Sequence, residues 1–459
     1  MTPRHTADPS IGSRIQARRL LRGWSIRYAA TRAGISHSTW SRIERGVQAA
    51  DNRFILADLA TALECSPAEL AGTPIPASDR AAVAAHAAVH AVRQSLVDLD
   101  TPFGEAHTRA HGERSNPPGP ALTRAHGERS NPPGPALTRA HGERSNPPGP
   151  ALTRAHGEPS NPPDGPGRPV AELARDVALL DSLRQACDYA GAARMTARLL
   201  RDLHIATAGP SREPALRLLC DVTFMASSVL RNLGHPADAW LAAERCRDAA
   251  RATEDPVLMA YASYARSCAA TACGSFGSGL ALAARALDDL EPHSSRAGVL
   301  EMRGSLQLQC AHASRGRKLL DDSRAWAVEA GDLARHTGET TTMGLYFGPT
   351  NVGIWRIGIE ADGGDPGQAT EIARATNPAI VPAGFRQVFY FADTARALAR
   401  LRGRDREAIR LLLIAERVAP QHIHTSAMAQ ETTRALLERS RRAAGGPELR
   451  ALAERLQLT

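Results

Sequence analysis

The sequence predicts an all-α protein in three parts: a small N-terminal domain of five short helices, a repetitive linker, and a C-terminal α-solenoid of helix pairs. Three observations carry that prediction. Hydrophobic residues make up 43% of the chain and aromatic residues only 4%, and this Ala- and Leu-rich balance favours helices packed through small side chains over a β-sandwich. Gly, Pro and Asp interrupt the apolar-periodic segments of the second half at intervals of roughly 35–45 residues, the spacing of helical-hairpin repeats. Between the halves, the unit A-(H/L)-TRAHGERSNPPGP recurs at 106–120, 121–135 and 136–150, with an altered copy over 151–164.

The first domain spans residues 9–75. Helix one, from about Ser10 to Arg22, carries Ile11, Ile15 and Leu20 as its buried stripe, with Arg14, Arg18 and Arg22 facing out. Helix two, about Ile26 to Ala33, buries Ala29, Ala30 and Ala33, and helix three, about His37 to Arg45, buries Trp40 and Ile43. That leaves His37, Ser38, Ser41, Arg42 and Arg45 on the opposite face of helix three. Ser25 and Ser36 precede helices two and three as N-caps, able to accept from orphan first-turn N–H groups. Gly34 stands at the reversal between them, where a positive φ is expected, and Gly46 follows as a left-handed C-terminal cap. Helix four, about Arg53 to Glu64, buries Phe54, Leu59, Ala60 and Leu63. Ser66-Pro67 opens a fifth helix that ends near Gly72, with Pro at its first position.

The stretch WSIRYAATRAGISHSTWSRIERG at 24–46, with SPAELAG at 66–72, resembles the phage-repressor (XRE-type) helix-turn-helix DNA-binding domain over roughly residues 10–72. Double-stranded DNA is the partner that resemblance implies. It assigns His37, Ser38 and Arg42 to base reading, with Ser41 beside them. Arg is suited to guanine because its fork reaches O6 and N7 together. Arg45 and Ser36 are placed for phosphates, which fix register without reading sequence. Arg19 and Glu44 match positions that form an ion pair between helices one and three, and Glu44, inward beside Ile43, needs such a cation on its own account. The sequence departs from the family at Ile26, where many members carry a Gln that contacts phosphate; Arg27 or the helix N-terminal N–H groups would substitute. Charge agrees: residues 1–60 hold ten Arg against four Asp or Glu, a net of +6, which suits a polyanion.

Residues 78–98 form a connector helix starting at Ser78, with Val83, Val92 and Leu96 as a thin apolar stripe for packing on the domain or on a partner. His86 and His90 sit at i, i+4, a metal-compatible spacing, but nothing acidic or thiol accompanies them, and no metal is assigned. The repeat linker, 101–168, has almost nothing apolar to bury, and its Asn-Pro-Pro-Gly-Pro core breaks helix and strand alike. It reads as a disordered tandem duplication, which would span roughly 45 Å as a coil and tether the N-terminal domain loosely. His111, His126, His141 and His156 recur within it as a by-product.

From 169 to 459 the chain reads as helix pairs at about 170–207, 214–252, 256–290, 296–336, 350–376 and 385–418, closed by terminal segments at 425–442 and 447–457. The spacing and the Pro after second helices resemble tetratricopeptide repeats, and the whole architecture resembles a class of actinobacterial regulators, including the segments FGPTNV at 347–352 and RALARLRGRDREAIRLLLIAERVAP at 396–420. The concave face of such an array takes a peptide, small molecule or protein ligand. Tyr346, Phe347, Thr350 and Asn351, with Trp355 and Arg356 one turn on, form the candidate pocket.

G-x-S-x-G, P-loop and H-E-x-x-H motifs are missing from the sequence, so neither an enzyme nor a cofactor is expected. Seven cysteines without C-x-x-C spacing fit reduced thiols. With no apolar run of membrane length, a cytoplasmic, nucleoid-associated protein is expected. The function expected is sequence-specific transcriptional regulation by a DNA-bound homodimer whose repeats sense or oligomerise. The competing expectation is an interaction scaffold with a degenerate helix-turn-helix.

Overall fold

A computed structural model of the chain describes residues 10–72, 80–99, 168–442 and 446–458, and every regular element among them is a helix. The tandem-repeat linker and the expected N-cap at Ser78 lie outside the described residues. The N-terminal domain consists of α1 (Ile11–Leu21), α2 (Ile26–Arg32), α3 (His37–Glu44), α4 (Arg53–Ala62) and α5 (Pro67–Ala71), followed by the connector α6 (Arg80–Asp98). Six pairs follow: α7 (Val170–Gln185) with α8 (Tyr189–Ala206), α9 (Arg212–Asn232) with α10 (Pro236–Thr253), α11 (Pro256–Ala272) with α12 (Phe276–Leu290), α13 (Val299–Gly316) with α14 (Leu320–Thr337), α15 (Pro349–Gly363) with α16 (Pro366–Ala375), and α17 (Gly384–Leu398) with α18 (Asp405–Val418). The chain ends in α19 (Pro420–Thr425), α20 (Ala427–Arg442) and α21 (Pro447–Arg455).

Local chemistry sets these boundaries. Proline occupies the first turn of α10, α11, α15 and α16, where its missing N–H costs nothing. Asp255 and Asp365 cap α11 and α16 by accepting from Val257 N and Gln368 N. Small residues then let the helices approach. Ala242, Ala243, Ala249 and Ala250 of α10 are all fully buried. Gly304 of α13 admits the ring of Phe347, since a Cβ there would lie 1.9 Å from Phe347 Cζ.

The first helices of successive pairs pack on one another in a row, α7 on α9, α9 on α11, α11 on α13, α13 on α15 and α15 on α17, and α17 returns to touch α7. The array therefore closes on itself. The seam is polar: Tyr189 Oη bonds His422 Nδ1 at 2.7 Å, and Gln421 both accepts from Ala190 N and donates to Asp188, each at 2.9 Å.

Some expectations need correction. Leu20 is 59% exposed, and the buried stripe of α1 is Ile11, Ile15 and Arg19. Those three stand four residues apart, which keeps them on one face, whereas Leu20 is turned a further 100° or so. On α6 the stripe is Ala85, Val89, Val92 and Leu96, and Val83 is exposed. This helix packs on α8 and α10 of the same chain, with Arg93 forked onto Asp238 through two 2.6 Å bonds. His86 meets His235 at 3.0 Å across that interface, and His90 is exposed. Among the described residues no group of three or more His, Cys, Asp or Glu could hold a metal, and no helix is long and apolar enough to cross a membrane.

Candidate nucleic-acid interface

Ser25 and Ser36 cap α2 and α3 as their positions require, accepting from Tyr28 N at 3.2 Å and Thr39 N at 3.0 Å. Gly34 takes φ +66° in the turn between them, a conformation an L side chain resists. Close approach of α1 and α3 depends on Gly12, where a Cβ would sit 2.3 Å from the Ile43 carbonyl oxygen.

The angle between α1 and α3 is pinned by charge. Arg19 donates from Nε and Nη2 to the two carboxylate oxygens of Glu44 at 2.6 and 2.9 Å, and both side chains are more than nine-tenths buried. Trp40 Nε1 adds a 2.6 Å bond to the same carboxylate, and Arg19 Nη1 reaches the Trp24 carbonyl at 2.7 Å. The pair is satisfied on nearly every side, the condition under which a buried ion pair is tolerated. The two tryptophans were not legible as its partners. Trp24 also lies beneath the Arg32 guanidinium, 4.8 Å from its ring centre.

With α3 fixed, its outer face presents Ser36, His37, Ser38, Arg42 and Arg45 to solvent, with Ser41 half-buried among them. Arg42 is tethered by one 3.3 Å bond from Nε to Gln48 Oε1, and Arg45 Nε donates to the Ser41 carbonyl at 3.2 Å. Ser36 Oγ is committed to its cap and lies 2.8 Å from Thr39 Oγ1 and 2.9 Å from Ser38 Oγ. Arg27 is exposed in the first turn of α2. The expected readers thus share one open face, though Ser36 serves the cap first.

Another part of the domain is occupied. Instead of hanging on a loose tether, the N-terminal domain is seated on the helical array through α4 and the residues before it. Arg53 Nη1 pairs with Asp362 at 2.6 Å and its backbone N donates to the same carboxylate at 3.1 Å. Asn52 Nδ2 bonds the Asp362 carbonyl at 2.5 Å. Arg396 of α17 pairs with Asp362 and Asp393 at 2.7 Å each and donates to the Asp51 carbonyl at 2.5 Å. Arg400 and Thr432 complete the Asp51 carboxylate at 2.7 and 2.9 Å. Three aspartates face three arginines, so the network is neutral. Burial pushes the Asp362 carboxyl up, but Arg396 and Arg53 outweigh it and hold the group far below the ordinary carboxylate range. Beside the network, Phe54 packs edge-on against Phe276 with ring centres 5.4 Å apart, and Lys318 pairs with Asp58 at 3.0 Å.

The pocket expected after Tyr346 is mostly packing. Phe347 is wholly buried among Leu308, Ala330, Ala334 and Val352. Tyr346 Oη bonds Gln185, Asn351 Nδ2 bonds the Leu345 carbonyl, and Thr350 N is capped by Glu339. Arg356 is exposed. Of the six, Trp355 alone lines the cavity between α4, α5 and the inner helices. The FGPTN turn breaks the Ala-rich pattern, and its Phe347 fills the gap between α13, α14 and α15.

Residues 10–71 match the helix-turn-helix domain family, and this segment is a DNA-binding domain of that kind. No curated protein and no solved structure matches the chain.

Proposed function

We propose that the chain is a sequence-specific transcriptional regulator of the phage-repressor type. Its α3 reads a short major-groove half-site through His37, Ser38, Ser41 and Arg42, and its tetratricopeptide-like array senses or assembles. The observation that carries this reading is the orientation of the seated domain. The array grips α4 and the residues just before it, while the polar face of α3 stays exposed. A domain kept only as a structural plug would not need an open face of His, Ser and Arg. A regulator that must read DNA while attached to its sensor needs both surfaces separate.

In this reading Arg42 grips a guanine, a contact worth roughly 1–3 kcal/mol of discrimination. Arg45, Arg27 and the N-terminus of α3 hold phosphates. The regulator acts as a homodimer, which would place half-sites about 34–36 Å apart or at multiples of that spacing. Selection of bound duplexes from a random pool tests the proposal: a recurrent short motif is expected, and Arg42→Ala should relax one or two of its positions. Recovery of unenriched sequence by the wild-type chain would favour the scaffold reading instead.

A further inference from the structure

The inner helices and the seated domain line a half-open cavity of about 340 Å³, near the small end of ligand sites, roughly 300–1,000 Å³. Its roof is the N-terminal domain, with Ala57 of α4 and Pro67 of α5, and its walls are Phe224, Tyr264, Trp355 and Phe389. Four arginines line it: Arg53 and Arg184 are paired with Asp362 and Asp181, and the other two are Arg231 of α9 and Arg386 of α17. Arg386 is 8% exposed and its Nε has no hydrogen-bond partner. It lies over the faces of Phe385 and Trp355, 4.7 and 5.7 Å from the ring centres. Neither Arg386 nor Arg231 forms an ion pair among the described residues. Asp393, which also lines the cavity, is already held by Arg396 and Arg53. Burial, and then the charge of Arg231 against the help of Tyr264, pulls the Arg386 guanidinium below its ordinary range.

In the adjoining network Arg53, Arg396 and Arg400 each face an aspartate. Here Arg386 and the part-buried Arg231 line an aromatic cavity with no carboxylate of their own, and a buried ion without a partner, as Arg386 is, is costly. A guanidinium fork with a free N–H offers two-point binding to an oxyanion. We propose that the cavity binds a small organic anion, its carboxylate or phosphate head forked onto Arg386 beside Arg231 and its aromatic body among Trp355, Tyr264, Phe224 and Phe389. This deepens the sensing role given to the array, on which it rests, by naming the ligand class and the site. Because α4 and α5 form the roof, the ligand touches the DNA-binding domain directly, and ligand affinity and DNA affinity are coupled by the same factor in both directions.

Titration calorimetry of the full chain with indole-3-acetate, phenyl phosphate and the neutral indole-3-acetamide tests this. At least one of the two anions should bind with Kd below about 1 mM, the amide should not, and comparison of the two anions identifies the head group. Arg386→Gln should weaken the anion roughly tenfold to a hundredfold, the loss of a charge-assisted bond. It should also leave the unliganded melting temperature at or above the wild-type value, because it removes an unpaired buried charge. The proposal is overturned if neither anion binds, if amide and acid bind alike, if the variant binds as the wild type does, or if its unliganded melting temperature falls. DNA selection by the unliganded Arg386→Gln chain should be unchanged, so failure here leaves the reading of α3 standing.

Discussion

Replacing Asp362 with Asn should unseat the N-terminal domain. The Asp362 side chain is fully buried and receives Arg396 Nη1 at 2.7 Å, Arg53 Nη1 at 2.6 Å and the Arg53 backbone N at 3.1 Å. The substitution changes the neutral set of three aspartates and three arginines into one with a net positive charge. It also turns an amide N–H₂ toward a guanidinium that only donates. Breaking one side of a buried pair costs roughly 3–5 kcal/mol, and little screening is available at a side chain with no exposure. The loss should be read by calorimetric unfolding of the full chain and by hydrogen exchange at the α4 amides, including the Arg53 N–H that Asp362 holds. The double variant Asp362→Asn/Arg396→Met should recover much of the loss, since a buried pair removed as a unit is often close to neutral. A single variant within about 1 kcal/mol of wild type, with unchanged exchange at α4, would refute the view that this network holds the domain in place.

Three further outcomes follow from the same geometry. Glu44→Gln should destabilise the N-terminal domain by roughly 3–5 kcal/mol, seen as early loss of the α1–α3 amide protection, because Arg19 and Trp40 both lose their acceptor charge. Gly12→Ala should cost roughly 1–3 kcal/mol in thermal unfolding through overpacking, as the new methyl meets the Ile43 carbonyl. Acid should weaken the fold: burial pulls His312, His422 and His86 down to about 4. The unfolded chain therefore binds more protons between pH 6.5 and 4, and stability falls as pH drops through that window, by up to about 3 kcal/mol for each of the enclosed His312 and His422 and by less for the part-exposed His86. Denaturation midpoints across that range, with His312→Gln as control, check the sign; flat midpoints would contradict it.

Much of the helical framework was legible in the sequence because its signals are local. Ser25, Ser36, Ser66, Gly34 and the prolines that open α10 and α11 act within one turn of the chain. The face of α3 was legible for the same reason, since Trp40 and Ile43 point inward and leave Arg42 outside. Leu20 has the apolar character of a core residue but not the register, and the position that register favours belongs to a charged residue, Arg19, whose cost Glu44 offsets. The seating of the domain was invisible for a different reason. Arg53 and Asp362 are 309 residues apart in sequence, and Arg396 and Asp51 are 345 apart. Each reads as an ordinary surface charge until the array closes. Arg386 hides likewise, on a helix with no local sign that its Nε lacks a hydrogen-bond partner.

The central claim, that α3 reads DNA sequence, is tested most directly by one ratio: the affinity for a selected operator over that for unrelated duplex at a single salt concentration, in wild type and in Arg42→Ala. A specific reader should show a ratio of at least about 10³. Arg42→Ala should lower operator affinity by roughly 5- to 150-fold, the equivalent of 1–3 kcal/mol. Its affinity for unrelated duplex, set by phosphate contacts elsewhere, should stay nearly unchanged. A wild-type ratio near one, or a variant that loses both affinities equally, would contradict the account.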